Sequence, residues 1–310
     1  MITSFFKTSK PIHYIIFSVV LIALLFCQRI IISNFEVNAL NLVYEAAYIL
    51  VVIASLFLVI FIVTKNNLTH NNSFAALYFC LFVGLFPQSL ESPFALLSNF
   101  CILLSFRRII SLKNKKNIKI KLLDASLWTC LATLLNPFSF FFFAPLMIGI
   151  ALYSVVEIKN ILVPFCGVFA FGIFWTCFSL ISNNQLPNYN AYLPSICFDL
   201  SSLSFSNRAL FSGLTAGIVL GGIVNYFLAS SFKNRFNRAS FFLVILMIIS
   251  SFIAFFFDLS NNKDASIFMA APSAIILANF SETTRFQRLS DLIIISLFMA
   301  VGLQLAINML

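Results

Sequence analysis

Nine charged residues in this 310-residue chain are of the types that could do chemistry together: Arg29, Glu36, Glu45, Glu91, Asp199, Arg208, Asp258, Lys263 and Asp264. A carboxylate in such a set can act as a general base. An Arg or Lys can hold the phosphate of an anionic headgroup. Glu36 and Glu45 are the candidate catalytic carboxylates, and Arg29, Arg208 and Lys263 are the candidate lipid-phosphate contacts. Arg29 and Glu45 lie within or at the edge of apolar runs. Ionisable groups at that depth are expensive and usually face a partner or a watery cavity. The alternative is that all nine sit at headgroup level in loops and pair locally.

The elements that must position these residues follow from composition. The chain is 61% hydrophobic and 9% charged, against roughly 25% charge in a soluble domain. A soluble fold would lack the polar residues to cover its surface, so its solvent must be mostly lipid. A span needs about 20 apolar residues, and such runs recur throughout. They fall at 12–32, 42–64, 73–87, 94–112, 122–136, 138–156, 161–182, 209–230, 239–257, 266–280 and 289–309. The expected fold is all-α: a polytopic transmembrane helical bundle of about eleven spans, forming a single integral membrane domain over 1–310 with no soluble domain.

Charge orients it. With these spans, sixteen of the nineteen Lys and Arg fall on one side and six of the ten acids on the other. Cytoplasmic loops gather Lys and Arg, which predicts the N-terminus inside and the C-terminus outside. It also explains the net charge of +9 without a nucleic-acid partner. The nine residues named first are those left on the outer half. Lys7 and Lys10 precede the first apolar run as in a signal peptide. That run continues to about Ile32 without a small-x-small cleavage site, so a retained first span is expected.

Other features carry a structural and a functional reading. Gly213, Gly217 and Gly221 form two overlapping G-x-x-x-G steps on one helix face, which let another backbone approach closely; packing within the chain is expected over dimerisation. Asn136-Pro137 and Pro272 interrupt apolar runs. Proline removes a backbone donor and disfavours helix in the residue before it, so a tight outer turn is expected at Asn136-Pro137. Such breaks can present backbone dipoles to a substrate or be harmless kinks. The half-apolar stretch Leu193–Phe205 could lie in the interface. His13 and His70 are expected to be solvated near the membrane surface. Asp124 and Asp291 are expected to open helix ends, offsetting the dipole. The seven cysteines form no C-x-x-C pair and read as packing residues, with no metal site or cofactor implied. No Walker loop, G-x-S-x-G or H-E-x-x-H is present.

The opening Met-Ile-Thr-Ser-Phe-Phe-Lys-Thr-Ser-Lys-Pro, followed by a span with Arg29 near its outer end, resembles a family of uncharacterised multi-pass inner-membrane proteins of Bacteroidota. That resemblance implies a cell inner membrane setting and no activity. Residues 87–150 carry a second pattern: Pro87, Ser92-Pro93-Phe94-Ala95, a span ending in Arg107-Arg108, a basic loop, then Leu131-Ala132-Thr133-Leu134, Asn136-Pro137 and Phe140–Ala144. This order is similar to the helix-loop-helix of C-type integral-membrane glycosyltransferases, as is Lys263–Leu277 to their late basic loop and following helix. The resemblance implies a polyprenyl-phosphate-linked substrate, Glu36 as catalytic carboxylate and Lys263 as lipid-phosphate contact. Those enzymes place acids, often two close together, in the first outer loop. Here Glu36 alone lies there, with Glu45 just inside the next span. A non-enzymatic permease or an assembly component with a membrane protein partner is the alternative.

Overall fold

The computed structural model describes residues 2–28, 39–70, 72–153, 155–184, 186–187, 207–229, 238–258, 264–284 and 287–309, and all regular structure among them is helical. The helices are α1 (Ile2–Phe6), α2 (Pro11–Phe26), α3 (Ala39–Lys65), α4 (Phe74–Leu85), α5 (Pro93–Ile110), α6 (Ile118–Leu135), α7 (Phe143–Leu152), α8 (Ile158–Asn183), α9 (Asn207–Ala229), α10 (Arg238–Asp258), α11 (Ala270–Thr283) and α12 (Gln287–Met309). Each expected apolar segment overlaps one of α2 to α12 among the described residues. Among the described residues, six helical segments are long and apolar enough to cross a membrane: Val43–Lys65, Pro93–Asn114, Ile158–Ser182, Arg238–Asp258, Ala265–Thr283 and Arg288–Ile307. This is a membrane-type helical protein.

The centre is built on α4 and α11. Every residue of α4 is buried, as is α11 from Ala270 to Asn279, and the two helices pack together. A helix apolar all round has no polar face to give to water, so it is buried all round. Beside them α5 and α6 form the most extensive pairing. Ser105 Oγ donates to the Ala125 carbonyl at 3.0 Å and lies 2.9 Å from Thr129 Oγ1. Small hydroxyl residues let two helices approach this closely and satisfy themselves across the contact.

At the periphery burial falls away: the segment Ala265–Thr283 is mostly buried, whereas Ile158–Ser182 is mostly exposed. The outward face of α8 exposes Phe169, Phe174, Phe178 and Ile181, an apolar surface suited to lipid rather than water. Its inner face lies on α6 at Gly167, where an added Cβ would stand 1.9 Å from Ser126 Oγ and 3.0 Å from Ser126 Cβ.

The glycine stripe of α9 behaves otherwise. A Cβ at Gly213, Gly217 or Gly221 would meet no atom within 4 Å, so packing within the chain does not use them among the described residues. The close approach of α9 to α11 is one residue on, at Gly222, where a Cβ would stand 2.8 Å from Ile276 Cγ2. Pro272 also differs from expectation. The segment Ala265–Met269 is a 3-10 turn and α11 starts at Ala270, so Pro272 sits in the first turn. Backbone donors there have no intrahelical acceptor, and proline costs nothing.

Side-chain contacts define two ends of the bundle. At the first, Arg107 lies 4.7 Å and Lys65 Nζ 5.0 Å from the centre of the Phe61 ring. Arg108 pairs with Asp124 at 3.0 Å, and Lys121 Nζ donates to the Ser111 carbonyl at 2.6 Å. Partial burial, together with the Arg108 and Lys65 charges, lowers the Lys121 pKa from its ordinary value. Asp124 is therefore an ion-pair partner in the second turn of α6, which begins at Ile118 rather than 122, and not a residue of the helix opening. The α3–α4 loop is tied to α11 here: His70 N donates to both Glu282 carboxylate oxygens at 3.0 and 3.1 Å, and Asn72 Nδ2 donates to Oε1. Asp291 in α12 accepts from Thr3 N at 2.9 Å.

His70 is exposed, as expected, but His13 is fully buried. Helix α1 folds over it, setting the Phe5 and Phe6 rings 4.7 and 5.6 Å from its imidazole. Its Nδ1 lies 3.1 Å from Ser73 Oγ, and that hydroxyl donates to the Phe6 carbonyl.

Candidate functional site

The end opposite Lys65, Arg107, Arg108 and Lys121 is where the helices break. Three 3-10 turns lie there, Pro87–Leu90, Pro137–Phe142 and Ala265–Met269. The first and third touch each other, the third packs on α4, α5 and α10, and the second packs on α6 and α10. Phe142 and Phe268 meet edge to face at 5.5 Å, and Phe141 stacks on Phe257 at 5.3 Å. Non-helical backbone at membrane depth is tolerated where it is buried in protein or lines a cavity. Here the turns support one another in a layer.

Each break has a local cause and a polar anchor. After α4, Phe86 leaves helical geometry (φ −120°, ψ 63°) and Pro87 starts the turn. Ser89 Oγ donates to the Phe86 carbonyl at 2.6 Å. Ser92 then caps α5, accepting from Ala95 N at 3.4 Å. Glu91, between turn and helix, accepts from Gln28 Nε2 at 2.6 Å. Gln28 is buried just past the end of α2, so this helix is fastened to the turn through a carboxylate.

At the second break α6 ends at Leu135. Asn136 is extended (φ −141°, ψ 113°), and its Oδ1 accepts from Phe138 N at 3.1 Å. The tight turn expected at Asn136-Pro137 is present. Ser139 in this turn lies 2.7 Å from Ser98 Oγ, which also contacts the Ala132 carbonyl at 3.0 Å. At the third break, buried Asp258 ends α10 and accepts from Ala265 N at 2.8 Å. Asp264 follows in the left-handed region at φ 58°.

The candidate residues stand in different relation to this layer. Glu45 lies in the second turn of α3, half-buried. Glu91 and Asp258 anchor breaks. Arg208 lies in the first turn of α9, and its side chain is outside the described structure. Arg29, Glu36, Asp199 and Lys263 lie outside the described residues, as does Leu193–Phe205. Among the described residues no cluster of three or more His, Cys, Asp or Glu is placed to hold a metal ion. Gln28, Ser98 and Ser139 escaped the sequence reading. A lone amide or hydroxyl barely lowers the hydropathy of an apolar run; Ser98 and Ser139 at least lie within two turns of a break, whereas nothing local marks Gln28, 63 positions from Glu91.

Beside this layer an apolar groove of about 410 Å³ runs between α6, α7 and α8, with Thr133 and Phe140 at the end next to the second break. Ligand sites fall at roughly 300–1,000 Å³. A polar hollow of about 400 Å³ at the cationic end is bounded by Lys7, His70, Glu282 and Ser290; the Glu282 bonds that join the α3–α4 loop to α11 make it part of the scaffold.

The chain is similar to an undecaprenyl-diphosphatase of Prochlorococcus marinus (strain MIT 9515), at 30% identity over 118 residues. The match covers 37% of this chain and spans 38% of the length of that protein. No solved structure matches. Over nearly its whole length, residues 7–305, the chain fits one family model, and it belongs to that family of unknown function, DUF6427.

Proposed function

We propose that this protein works on a polyprenyl-phosphate-linked substrate at its broken-helix end, as a lipid-linked glycosyltransferase-like enzyme of the cell envelope. The observation that carries the reading is the convergence of three helix breaks, with their Gln28–Glu91, Asn136 and Asp258 anchors, at the end opposite the cations. The partial likeness to an undecaprenyl-diphosphatase supports the substrate class. The reading includes eleven spans in a cell inner membrane. The cationic end is cytoplasmic by the positive-inside rule, so the site faces outward. Arg29 follows Gln28 in the chain, and Lys263 lies two residues before Ala265. Together with Arg208 they would hold the lipid phosphate, leaving Glu36 or Glu45 as base.

The test is accumulation. Cells lacking this protein should build up polyprenyl-phosphate-linked intermediates, measured in lipid extracts by mass spectrometry, and a wild-type copy should clear them. An unchanged pool of such lipids counts against the reading.

The second reading, a non-enzymatic permease or assembly component, is favoured by Glu91. Its carboxylate is engaged by the amide of Gln28 and shows the tie of a structural residue. A membrane protein partner copurifying at fixed stoichiometry in mild detergent, with no lipid intermediate accumulating in its absence, would select this reading.

A further inference from the structure

The groove between α6, α7 and α8 has a composition that its position in a membrane does not by itself explain. Of its twelve lining residues, five are aromatic: Phe140, Phe143, Phe165, Phe171 and Trp175. The chain as a whole is 16% aromatic. The wall is also built rather than left over. On α8, Pro164, Val168, Gly172 and Trp175 recur at helical spacing and form one stripe. Gly172 supplies the hollow, since a Cβ there would meet no atom within 4 Å. On the same helix Gly167 is pressed against Ser126, so α8 is pinned to α6 along one stripe and stands away from it along another.

We infer that this groove is the seat of a polyisoprenoid chain, the tail of a lipid-linked substrate; this rests on the reading of the broken-helix end given above. Four properties of the groove fit that occupant. Its rim adjoins the outward face of α8, so in a bilayer it fills from the lipid and not from water. Flat aromatic walls match a chain carrying regularly spaced double bonds and methyl branches, whose π faces and C–H groups meet the rings edge-on and face-on. Met147 adds an adaptable, polarizable surface. The end of the groove at Thr133 and Phe140 lies next to the Asn136–Phe142 break, so a tail lying in the groove with its head at that end delivers its headgroup to the layer of breaks. The groove follows α8 from Pro164 to Trp175, about 16 Å at 1.5 Å per residue. That is roughly half of a 30 Å hydrocarbon core, so the groove takes the headgroup-proximal part of a long tail and leaves the rest in the bilayer.

The test uses the full chain in detergent micelles, with undecaprenol, undecaprenyl phosphate and phosphatidylglycerol added as separate probes and retention read by native mass spectrometry. Wild type should retain undecaprenol roughly tenfold better than phosphatidylglycerol at equal concentration. Gly172→Phe should lose that preference. Its ring points into open space, so the variant should remain folded, shown by an unchanged elution profile. Gly172→Ala, too small to fill the hollow, should keep it. Undecaprenol has no phosphate, so its retention reports the groove alone. If the groove is right and the function at the broken-helix end is wrong, undecaprenol is held but the phosphate adds nothing. Equal retention of phosphatidylglycerol and undecaprenol by wild type, or unchanged undecaprenol binding by folded Gly172→Phe, would overturn the inference.

Discussion

Replacing Gly167 with leucine should detach α8 from the bundle. The added Cβ would stand 1.9 Å from Ser126 Oγ and 3.0 Å from Ser126 Cβ. A hydroxyl can rotate away, giving up its 2.8 Å bond to the Leu123 carbonyl, but Ser126 Cβ is fixed to the backbone of α6. Leucine adds three further carbons to a position where the first already clashes. Overpacking of this kind costs about 1–3 kcal/mol, and occasionally more. The upper end applies, because helix association in lipid depends on close packing, with no hydrophobic drive to compensate for a lost fit. The expected result is a drop of about 3 kcal/mol or a loss of the monodisperse peak in size-exclusion chromatography. Ser126→Gly should partly rescue Gly167→Ala, since the two residues share one contact and should couple. A wild-type elution profile and melting temperature for Gly167→Leu would show that α8 does not pack on α6 through this glycine.

The second large effect concerns chemistry. Glu36→Gln keeps the size and hydrogen-bonding reach of the side chain but removes its capacity to take a proton. General-base catalysis contributes roughly 10²–10⁴-fold, so at least a hundred-fold loss in clearing polyprenyl-linked intermediates is expected at equal protein level. Glu45→Gln discriminates between the two carboxylates. If Glu45 is the base, the loss moves to that variant and Glu36→Gln is near normal. Full clearance by both variants removes the case for a carboxylate base.

Much of the architecture was legible in the sequence because lipid and water sort residues coarsely. The run expected at 94–112 is found as Pro93–Ile110 with a short 3-10 extension to Asn114. The turn at Asn136-Pro137 was readable because proline lacks the donor a helix requires. What hydropathy cannot tell is which apolar face meets protein and which meets lipid, since the two are equally apolar. Helices α4 and α8 are both strongly apolar, yet one is entirely buried and the other mostly exposed. The same ambiguity hid the glycines. The regular spacing of Gly213, Gly217 and Gly221 points to packing, while among the described residues the close approach of α9 to α11 falls on Gly222. His13 was misplaced for a different reason: its burial comes from α1 folding back over Ser73, a tertiary event with no local signature. The broken-helix layer was partly visible as Pro87 and Pro137. Its fastening by Gln28 joins residues 63 positions apart, which one sequence does not reveal.

The most direct test of the account is photocrosslinking with an undecaprenyl phosphate probe bearing a photoreactive group next to the phosphate, with adducts mapped by peptide mass spectrometry. The account predicts adducts in the segments around residues 86–93, 136–142 and 258–269, competed away by unlabelled undecaprenyl phosphate. Adducts confined to the cationic end around Lys65, Arg107 and Arg108, or labelling no stronger than that of a phosphatidylglycerol probe, would contradict it.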